Sequence, residues 1–249
     1  MTKLISAAEA VDLIPDGATL AVGGFGLCGI PQVLLDELSR RDVGGFEVAS
    51  NNAGLDGVGL GLLLESRQIR RMISSYVGEN REFARQYLAG ELEVELTPQG
   101  TLAERMRAGG SGIEAFYTRT GVDTMVADGG MPWKYGADGQ IEVESPAKDT
   151  REINGTRCVL ETAIRADVSI IRAAVADTAG NLRFNLTARN FNPLAGMCGE
   201  LCLVEAEKVV PVGELGPDDI HLPGIYVHHV VELTEEQAAD KRVEKETVR

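Results

Sequence analysis

The chain has 249 residues, of which 44% are hydrophobic, and this is enough apolar surface for one large core. Its formal net charge of -14 excludes nucleic acid and anionic membranes as natural partners, because either would need a positively charged face. No stretch reaches the roughly 18 apolar residues of a membrane helix and no signal-peptide pattern opens the chain, so we expect a cytoplasmic protein.

The first predicted elements are a strand, a tight turn and a helix, between Asp16 and Pro31. Residues 18–22 form an apolar run of strand length, and Leu34, Leu35 and Leu38 continue the segment as a helical stripe. Between them stand glycines that permit positive φ and close approach of the backbone: Gly23, Gly24, Gly26 and Gly29. We call residues 23–29 the glycine turn. A strand that is followed by such a turn and then by a helix commonly forms a ligand site.

Helical patterns then alternate with strand-like runs. The helical patterns lie at 6–13, 32–40, 81–89 and 102–108. The predicted strands are 46–50, 69–74, 92–96, 124–127, 157–161, 168–175, 202–210 and 225–231. This order predicts an α/β fold with a mostly parallel sheet flanked by helices on both faces.

Several marked residues follow directly after predicted strands. They are Gly23 to Gly26, Asn51 and Asn52, Ser75 and Tyr76, and Pro98-Gln99-Gly100. Because the carboxyl ends of parallel strands meet at one edge of a sheet, this arrangement predicts a single shared cleft.

The pattern weakens from 129 to 153, where Asp138-Gly139 is a hairpin-turn signal, so we expect a β-hairpin excursion there. The expected α/β domain covers 1–233, followed by a charged tail at 234–249. The cysteines and histidines show no zinc-binding spacing, and we expect no metal.

The glycine spacing also fits a different class, a nicotinamide oxidoreductase. Gly24, Gly26 and Gly29 satisfy G-x-G-x-x-G after a strand. Such a site needs an acidic residue near the end of the next strand, to hold the ribose hydroxyls. That strand ends instead in Ser50 and two asparagines, so the pattern disfavours this alternative.

Longer stretches resemble one family. The segment DGATLAVGGFGLCGIP resembles the signature of family I coenzyme A transferases, whose fold is of the NagB/RpiA-like type. Further matches to the first half of the succinyl-CoA:3-ketoacid enzymes are SNNAG from Ser50, SSYVGEN from Ser74, LTPQGTLAER from Leu96 and ARNFN from Ala188. Several independent motifs in the right order are far more specific than any one of them.

The resemblance implies transfer of coenzyme A, which is a substrate rather than a cofactor, through an enzyme glutamate. In the family this nucleophile stands in a Ser-Glu-Asn-Gly type motif, and this chain has none. Glu79 lies in the nearest string but lacks the flanking residues, so the role is not transferred to it. The resemblance therefore implies an A subunit that works with a B subunit, expected as a heterotetramer of two of each.

The resemblance assigns roles to a small set of residues. Gln99 is the expected oxyanion donor, and Asn51 and Asn52 are expected to orient the glutamate or the substrate. The wall beside the thioester is expected from Gly23, Gly24, Phe25 and Gly26, with Tyr76 at the acyl pocket. The expected reaction joins succinyl-CoA and acetoacetate, with a 3-oxoadipate enzyme and a non-catalytic acyl-CoA binding module as the other possibilities. The ARNFN motif receives no role.

Overall fold

The computed structural model describes residues 3–241, and its elements follow one another in the alternating order that the sequence indicates. The strands are β1 (Thr19–Val22), β2 (Phe46–Ala49), β3 (Ile69–Ser74), β4 (Glu93–Leu96), β5 (Ala115–Thr118), β6 (Pro132–Tyr135), β7 (Ile141–Glu144), β8 (Thr150–Ile153), β9 (Thr156–Thr162), β10 (Ala166–Ala173), β11 (Val175–Asp177), β12 (Leu182–Arg183), β13 (Gly199–Ala206), β14 (Val209–Val210) and β15 (His229–Glu232). The α-helices are α1 (Ala7–Val11), α2 (Gln32–Ser39), α3 (Gly61–Glu65), α4 (Arg81–Leu88), α5 (Gln99–Gly110), α6 (Met125–Asp128), α7 (Asn192–Cys198) and α8 (Glu235–Ala239).

A seven-stranded sheet in the order β15-β13-β10-β1-β2-β3-β4 forms the centre of the molecule, and every neighbouring pair in it is parallel. Successive residues of a strand point to opposite faces: Leu20 and Val22 pack with α1 to α4, whereas Ala21 packs with α5 and α7. Both faces are therefore covered by helices, which explains why the strands are almost continuously apolar.

Three smaller sheets surround this centre. β6 and β7 form a hairpin, and Asp138 and Gly139 lie in the turn between them, as the sequence indicates. The last residues of the expected excursion, 150–153, are not part of this hairpin. They form β8, which pairs with β9, and β9 pairs on its other side with β5 in a separate antiparallel sheet. The short strands β12, β11 and β14 form the third.

One predicted strand is wrong. The sequence predicts a strand at 124–127 because this run is short and apolar, but α6 occupies the place. The Oγ1 of Thr124 accepts a hydrogen bond from the backbone N–H of Val126, at 3.2 Å, and so caps the helix. A threonine before an apolar run is compatible with either element, and here the cap decides.

Other differences concern boundaries. The predicted strand 168–175 is divided between β10 and β11, and 202–210 between β13 and β14. The last strand starts at His229, because Gly224–Tyr226 form a 3-10 turn. The charged tail begins with α8, where Thr234 and Gln237 form a reciprocal capping box. Residues 242–249 of the predicted tail lie outside the described residues.

Candidate active site

The carboxyl ends of β2, β3 and β4 meet, as predicted, and their junction is the side chain of Asn51. Its Oδ1 accepts hydrogen bonds from the Oγ of Ser75, at 2.9 Å, and from the Nε2 of Gln99, at 2.8 Å. Asn51 is buried, with 3% of its surface exposed, while Gln99 is exposed. One carboxamide thus links residues that lie 24 and 48 positions away in the chain.

Backbone hydrogen bonds fix the position of Asn51. Its carbonyl oxygen accepts from the backbone N–H of Ser75, at 3.1 Å, and from the Oγ of Ser74, at 3.0 Å. Next to it, the Oγ of Ser50 donates to the carbonyl of Val22, at 3.0 Å, and so joins the end of β2 to the start of the glycine turn. The asparagine therefore occupies a rigid place between β1 and β3.

The amide nitrogens of this cluster are available as donors. No residue in 3–241 accepts a hydrogen bond from the Nδ2 of Asn51, and Gln99 uses one of its two Nε2–H bonds for Asn51. The side chain of Gln99 is exposed, so its second N–H can reach a ligand at the strand ends, whereas Asn51 is largely buried beneath it. Uncharged donors held in place before a reaction begins are what stabilises a developing oxyanion.

Gln99 is the first residue of α5, which follows β4 after a short turn. A buried ion pair connects β4 to α5. The Nη1 of Arg105 lies 2.5 Å from Oε1 of Glu95, and Arg71 contacts the other carboxylate oxygen at 2.6 Å. Burial opposes ionisation of Glu95, but the two guanidinium groups outweigh it and lower the pKa of this carboxyl group. The pair thus fixes β4 against the body of α5.

The glycine turn connects β1 to the segment before α2. Within it Phe25 and Cys28 form a two-residue bridge through reciprocal backbone hydrogen bonds of 3.1 and 2.9 Å. Gly24 and Gly26 have φ of 109° and 58°, values that favour glycine. The side chain of Phe25 is 46% exposed, so it is available for contact with a ligand or another chain.

The other expected site residues lie at the rim. Tyr76 is 58% exposed, and the side chain of Asn52 is half-buried. Neither side chain hydrogen-bonds to Asn51 or Gln99. Ser75 carries no expected role from its motif, yet its contact with Asn51 makes it part of the site. The signal that marks it in the sequence is its place directly after β3.

No acidic side chain among residues 3–241 hydrogen-bonds to Gln99 or to the side chain of Asn51. Glu79 is exposed and precedes Asn80, whose Oδ1 caps α4 by accepting from the N–H of Phe83, at 2.8 Å. The residue thus stands at a helix start, as expected from the sequence. The amide site and the nearest acidic motif are separate features of the chain.

Two further features bear on ligands. A cavity of about 310 Å³ lies beside the glycine turn, where Leu27, Ile30 and Arg172 contribute to its lining, and the lining includes neither Asn51 nor Gln99. Within 3–241 there is no cluster of three or more His, Cys, Asp and Glu side chains arranged to hold a metal ion. None of the helices in that range combines the length and the apolar character that crossing a bilayer requires.

The parallel sheet carries the glycine turn and the amides of Asn51 and Gln99 at the carboxyl ends of its strands, where open α/β folds bind their ligands, and such donors suit an enzyme that stabilises negative charge. The coenzyme A transferase family matches residues 4–233. The chain belongs to this family. Its asparagines after β2 stand where a nicotinamide-binding site would need an acid, which agrees with that assignment.

Relatives of known name agree over the full length. The chain is 56% identical over 250 residues to the probable A subunit of succinyl-CoA:3-ketoacid coenzyme A transferase from Mycobacterium bovis, with all of both chains covered. It is 57% identical to the A subunit of the enzyme of that name from Xanthomonas campestris pv. campestris, over 95% of this chain and 89% of the relative. For the probable A subunit from Bacillus subtilis the identity is 53%, over 100% and 96% of the two chains.

Solved structures show the same fold. An acyl-CoA transferase of Escherichia coli O157:H7, in a thioester complex with coenzyme A, superposes with a TM-score of 0.78 at 21% identity. The match covers 95% of this chain but 48% of that one, so this chain spans about half of the Escherichia coli protein. Glutaconate coenzyme A-transferase of Acidaminococcus fermentans gives 0.76 at 19% identity, over 96% of this chain and 77% of that one.

Proposed function

We propose that this chain is the A subunit of a succinyl-CoA:3-ketoacid CoA-transferase, which moves coenzyme A between succinyl-CoA and acetoacetate. The single observation that carries the proposal is the full-length identity of 56% to a chain that bears this name. The site supports it independently, because amide donors at the strand ends suit an acyl-transfer reaction.

The proposed reaction begins when the acyl carbonyl of succinyl-CoA is attacked by a glutamate of the B subunit. An acyl anhydride forms and the thiolate of coenzyme A leaves. The thiolate then attacks the carbonyl on the enzyme side of the anhydride, which releases succinate and leaves a glutamyl thioester. Acetoacetate recovers the coenzyme through the same steps in reverse.

The role of this chain is electrostatic and steric. Each attack produces a tetrahedral intermediate with a negative oxygen, and the free N–H of Gln99 is the donor proposed for it. Asn51 holds this amide at 2.8 Å, and its own Nδ2 has no hydrogen-bond partner among residues 3–241. The glycine turn and Phe25 form the wall that keeps water from the anhydride.

The proposal of a split site follows from what faces Gln99. The donor is in place, but no carboxylate of residues 3–241 hydrogen-bonds to it, and the Ser-Glu-Asn-Gly type motif does not occur in the sequence. The net charge of -14 points the same way, because the phosphates of coenzyme A need cationic partners. Both the nucleophile and the nucleotide site are therefore assigned to the B subunit.

The test is a coenzyme A transfer assay of this chain with a B subunit that carries the glutamate motif, together and apart. We expect activity of the pair only, with acetoacetate preferred over 3-oxoadipate and short fatty acids as the acceptor. Preference for 3-oxoadipate would replace the substrate assignment and leave the reaction class intact. No transfer to any acid by the assembled pair would refute the proposal. The mass of the pair in solution tests the two-plus-two stoichiometry.

A further inference from the structure

The glycine turn is held by one buried side chain, that of Asn192, the first residue of α7. Its Nδ2 donates to the carbonyl of Gly29, at 3.0 Å, and to the carbonyl of Ala188, at 2.8 Å. Its Oδ1 accepts from the backbone N–H of Arg172, at 3.0 Å. Asn192 has no exposed surface, so water cannot replace these hydrogen bonds. A buried donor or acceptor that loses its partner here would lower the stability of the fold.

The same side chain fills the space beside two glycines of the turn. A Cβ on Gly23 would lie 2.0 Å from the Oδ1 of Asn192, and a Cβ on Gly29 would lie 2.7 Å from its Nδ2. Real Cβ atoms do not approach so closely. These two positions therefore require glycine because the turn passes directly against Asn192, in addition to any conformational reason.

A neighbouring asparagine holds the turn at a second place. The Nδ2 of Asn190 donates to the carbonyl of Cys28, at 3.1 Å, and to that of Thr187, at 2.7 Å. The Sγ of Cys28 lies 3.2 Å from the Oγ1 of Thr187. Residues 187–192, which contain the ARNFN motif, thus contact the turn from Cys28 to Gly29.

The geometry also connects the turn to the central sheet. The backbone N–H of Gly23 donates to the carbonyl of Ile170 in β10, at 3.0 Å, and Arg172 lies two residues further along the same strand. Asn192 therefore bridges the end of β10 and the far end of the turn. The turn is attached at its start by the sheet and at its end by this asparagine.

We infer that Asn192 is a positioning residue, which holds the glycine turn in the shape that the reacting thioester lies against. It acts through the turn and touches no reacting atom. As a statement about catalysis the inference rests on the proposed function, but its mechanical part concerns this chain alone. The ARNFN motif thereby receives a role that its sequence does not reveal.

The turn contains its own reporter. Cys28 is half-buried, whereas Cys158, Cys198 and Cys202 are buried, so a thiol reagent such as Ellman's reagent reads the opening of the turn on the full chain. The variants are Asn192→Ala and the isosteric Asn192→Asp, which keeps the volume and loses both donated hydrogen bonds.

The matched control is Gln68→Ala. Gln68 is another buried carboxamide, and its Nε2 donates to carbonyls of Leu38, Arg41 and Val43 at 2.8 to 3.2 Å. It directly precedes β3 and so lies at the amino ends of the parallel strands, whereas the site lies at their carboxyl ends. A general loss of stability would raise the labelling rate of Cys28 in both kinds of variant. Loss of the contacts between Asn192 and the glycine turn raises that rate only when Asn192 is changed.

We expect both Asn192 variants to react about five- to a hundredfold faster at Cys28, as the loss of buried hydrogen bonds permits, and Gln68→Ala to react at the wild-type rate. In the assembled pair, kcat falls for the Asn192 variants and is unchanged for Gln68→Ala. Unchanged labelling in the Asn192 variants, or an equal increase in the control, would overturn the inference.

A steric test uses Gly23→Ala in two backgrounds. In the wild-type chain the new Cβ meets Oδ1 of Asn192, so labelling of Cys28 accelerates and kcat falls. With Asn192→Ala already present the nearest obstacle is gone, and the second substitution adds a smaller effect. Additive effects would contradict direct contact. Should the wild-type pair transfer no coenzyme A, the proposed function fails, while the labelling rates still decide the mechanical part.

Discussion

Replacement of Gln99 by alanine is the most informative single change at the site. It removes the donor that lies 2.8 Å from Oδ1 of Asn51, and the remaining candidate donor is the Nδ2 of Asn51 itself. Loss of one oxyanion donor lowers kcat by about a hundred- to a thousandfold in other enzymes. Because a second amide remains, we expect a decrease of about a hundredfold, which corresponds to about 2.7 kcal/mol of transition-state stabilisation.

The effect on folding is expected to be small. Gln99 is exposed, and Asn51 keeps the hydrogen bond from Ser75, so the free energy of unfolding changes by less than about 1 kcal/mol. The assay measures kcat and KM of the reconstituted pair, together with thermal unfolding of the variant. Arg107→Ala is the control on the same helix, since it removes an exposed pair with Glu104.

Gln99→Glu sharpens the test, because it keeps the length of the side chain and replaces the N–H donor with a carboxylate. This group would face both Oδ1 of Asn51 and the developing oxyanion, so we expect a lower kcat than for Gln99→Ala. A kcat within a factor of about two of the wild type for either variant would refute the oxyanion role, since one donor is worth far more than this.

Three other changes follow from the structure. Arg105→Ala leaves the buried carboxylate of Glu95 without its shortest ion pair and should lower the free energy of unfolding by about 3 kcal/mol or more, measured in urea; a loss below about 1 kcal/mol would contradict the brace at the turn. Burial and nearby cations lower the pKa of His221 and His228 from 6.5, and the Nδ1 of each accepts a backbone N–H. These two histidines therefore bind more protons in the unfolded chain below pH 6.5, which lowers the unfolding midpoint there, whereas burial raises the pKa of Glu205 to about 7 and acts in the opposite direction over the same range. As the pH decreases below 6.5, the unfolding midpoint of the wild type should fall relative to that of a His221→Gln, His228→Gln double variant. Ser75→Ala removes one of the two donors to the Oδ1 of Asn51 and should reduce kcat by about three- to tenfold with KM nearly unchanged; equal activity would exclude Ser75 from the site.

The parts of the fold that depend on local pattern were predictable. Strand β3 has the predicted bounds, because a short stretch with Ile69, Met72 and Ile73 lies between the polar residues Gln68 and Ser75. The convergence of Asn51 and Gln99 followed from the direction of parallel strands alone. Their hydrogen bond did not, since its partners are 48 residues apart and its geometry depends on the register of β2, β3 and β4.

Other parts needed tertiary contacts. Helix α3 has no helical signal in the sequence because Gly57, Gly59 and Gly61 make its surroundings look like a loop, whereas Leu63 and Leu64 pack into the core. The contact of Asn192 with the glycine turn could not be predicted from the sequence, for a similar reason. An asparagine after a phenylalanine has no distinctive local pattern, and its function depends on a turn that lies 163 residues earlier.

In the proposed split site the nucleophilic glutamate belongs to the partner chain, and reductive trapping shows which chain carries it. The two chains are mixed with succinyl-CoA, and tritiated borohydride reduces the glutamyl thioester in place, which leaves the label on the nucleophilic glutamate. We expect tritium on the partner chain and none on this one. Label on a glutamate of this chain, or transfer of coenzyme A by this chain alone at the rate of the pair, would contradict the split site.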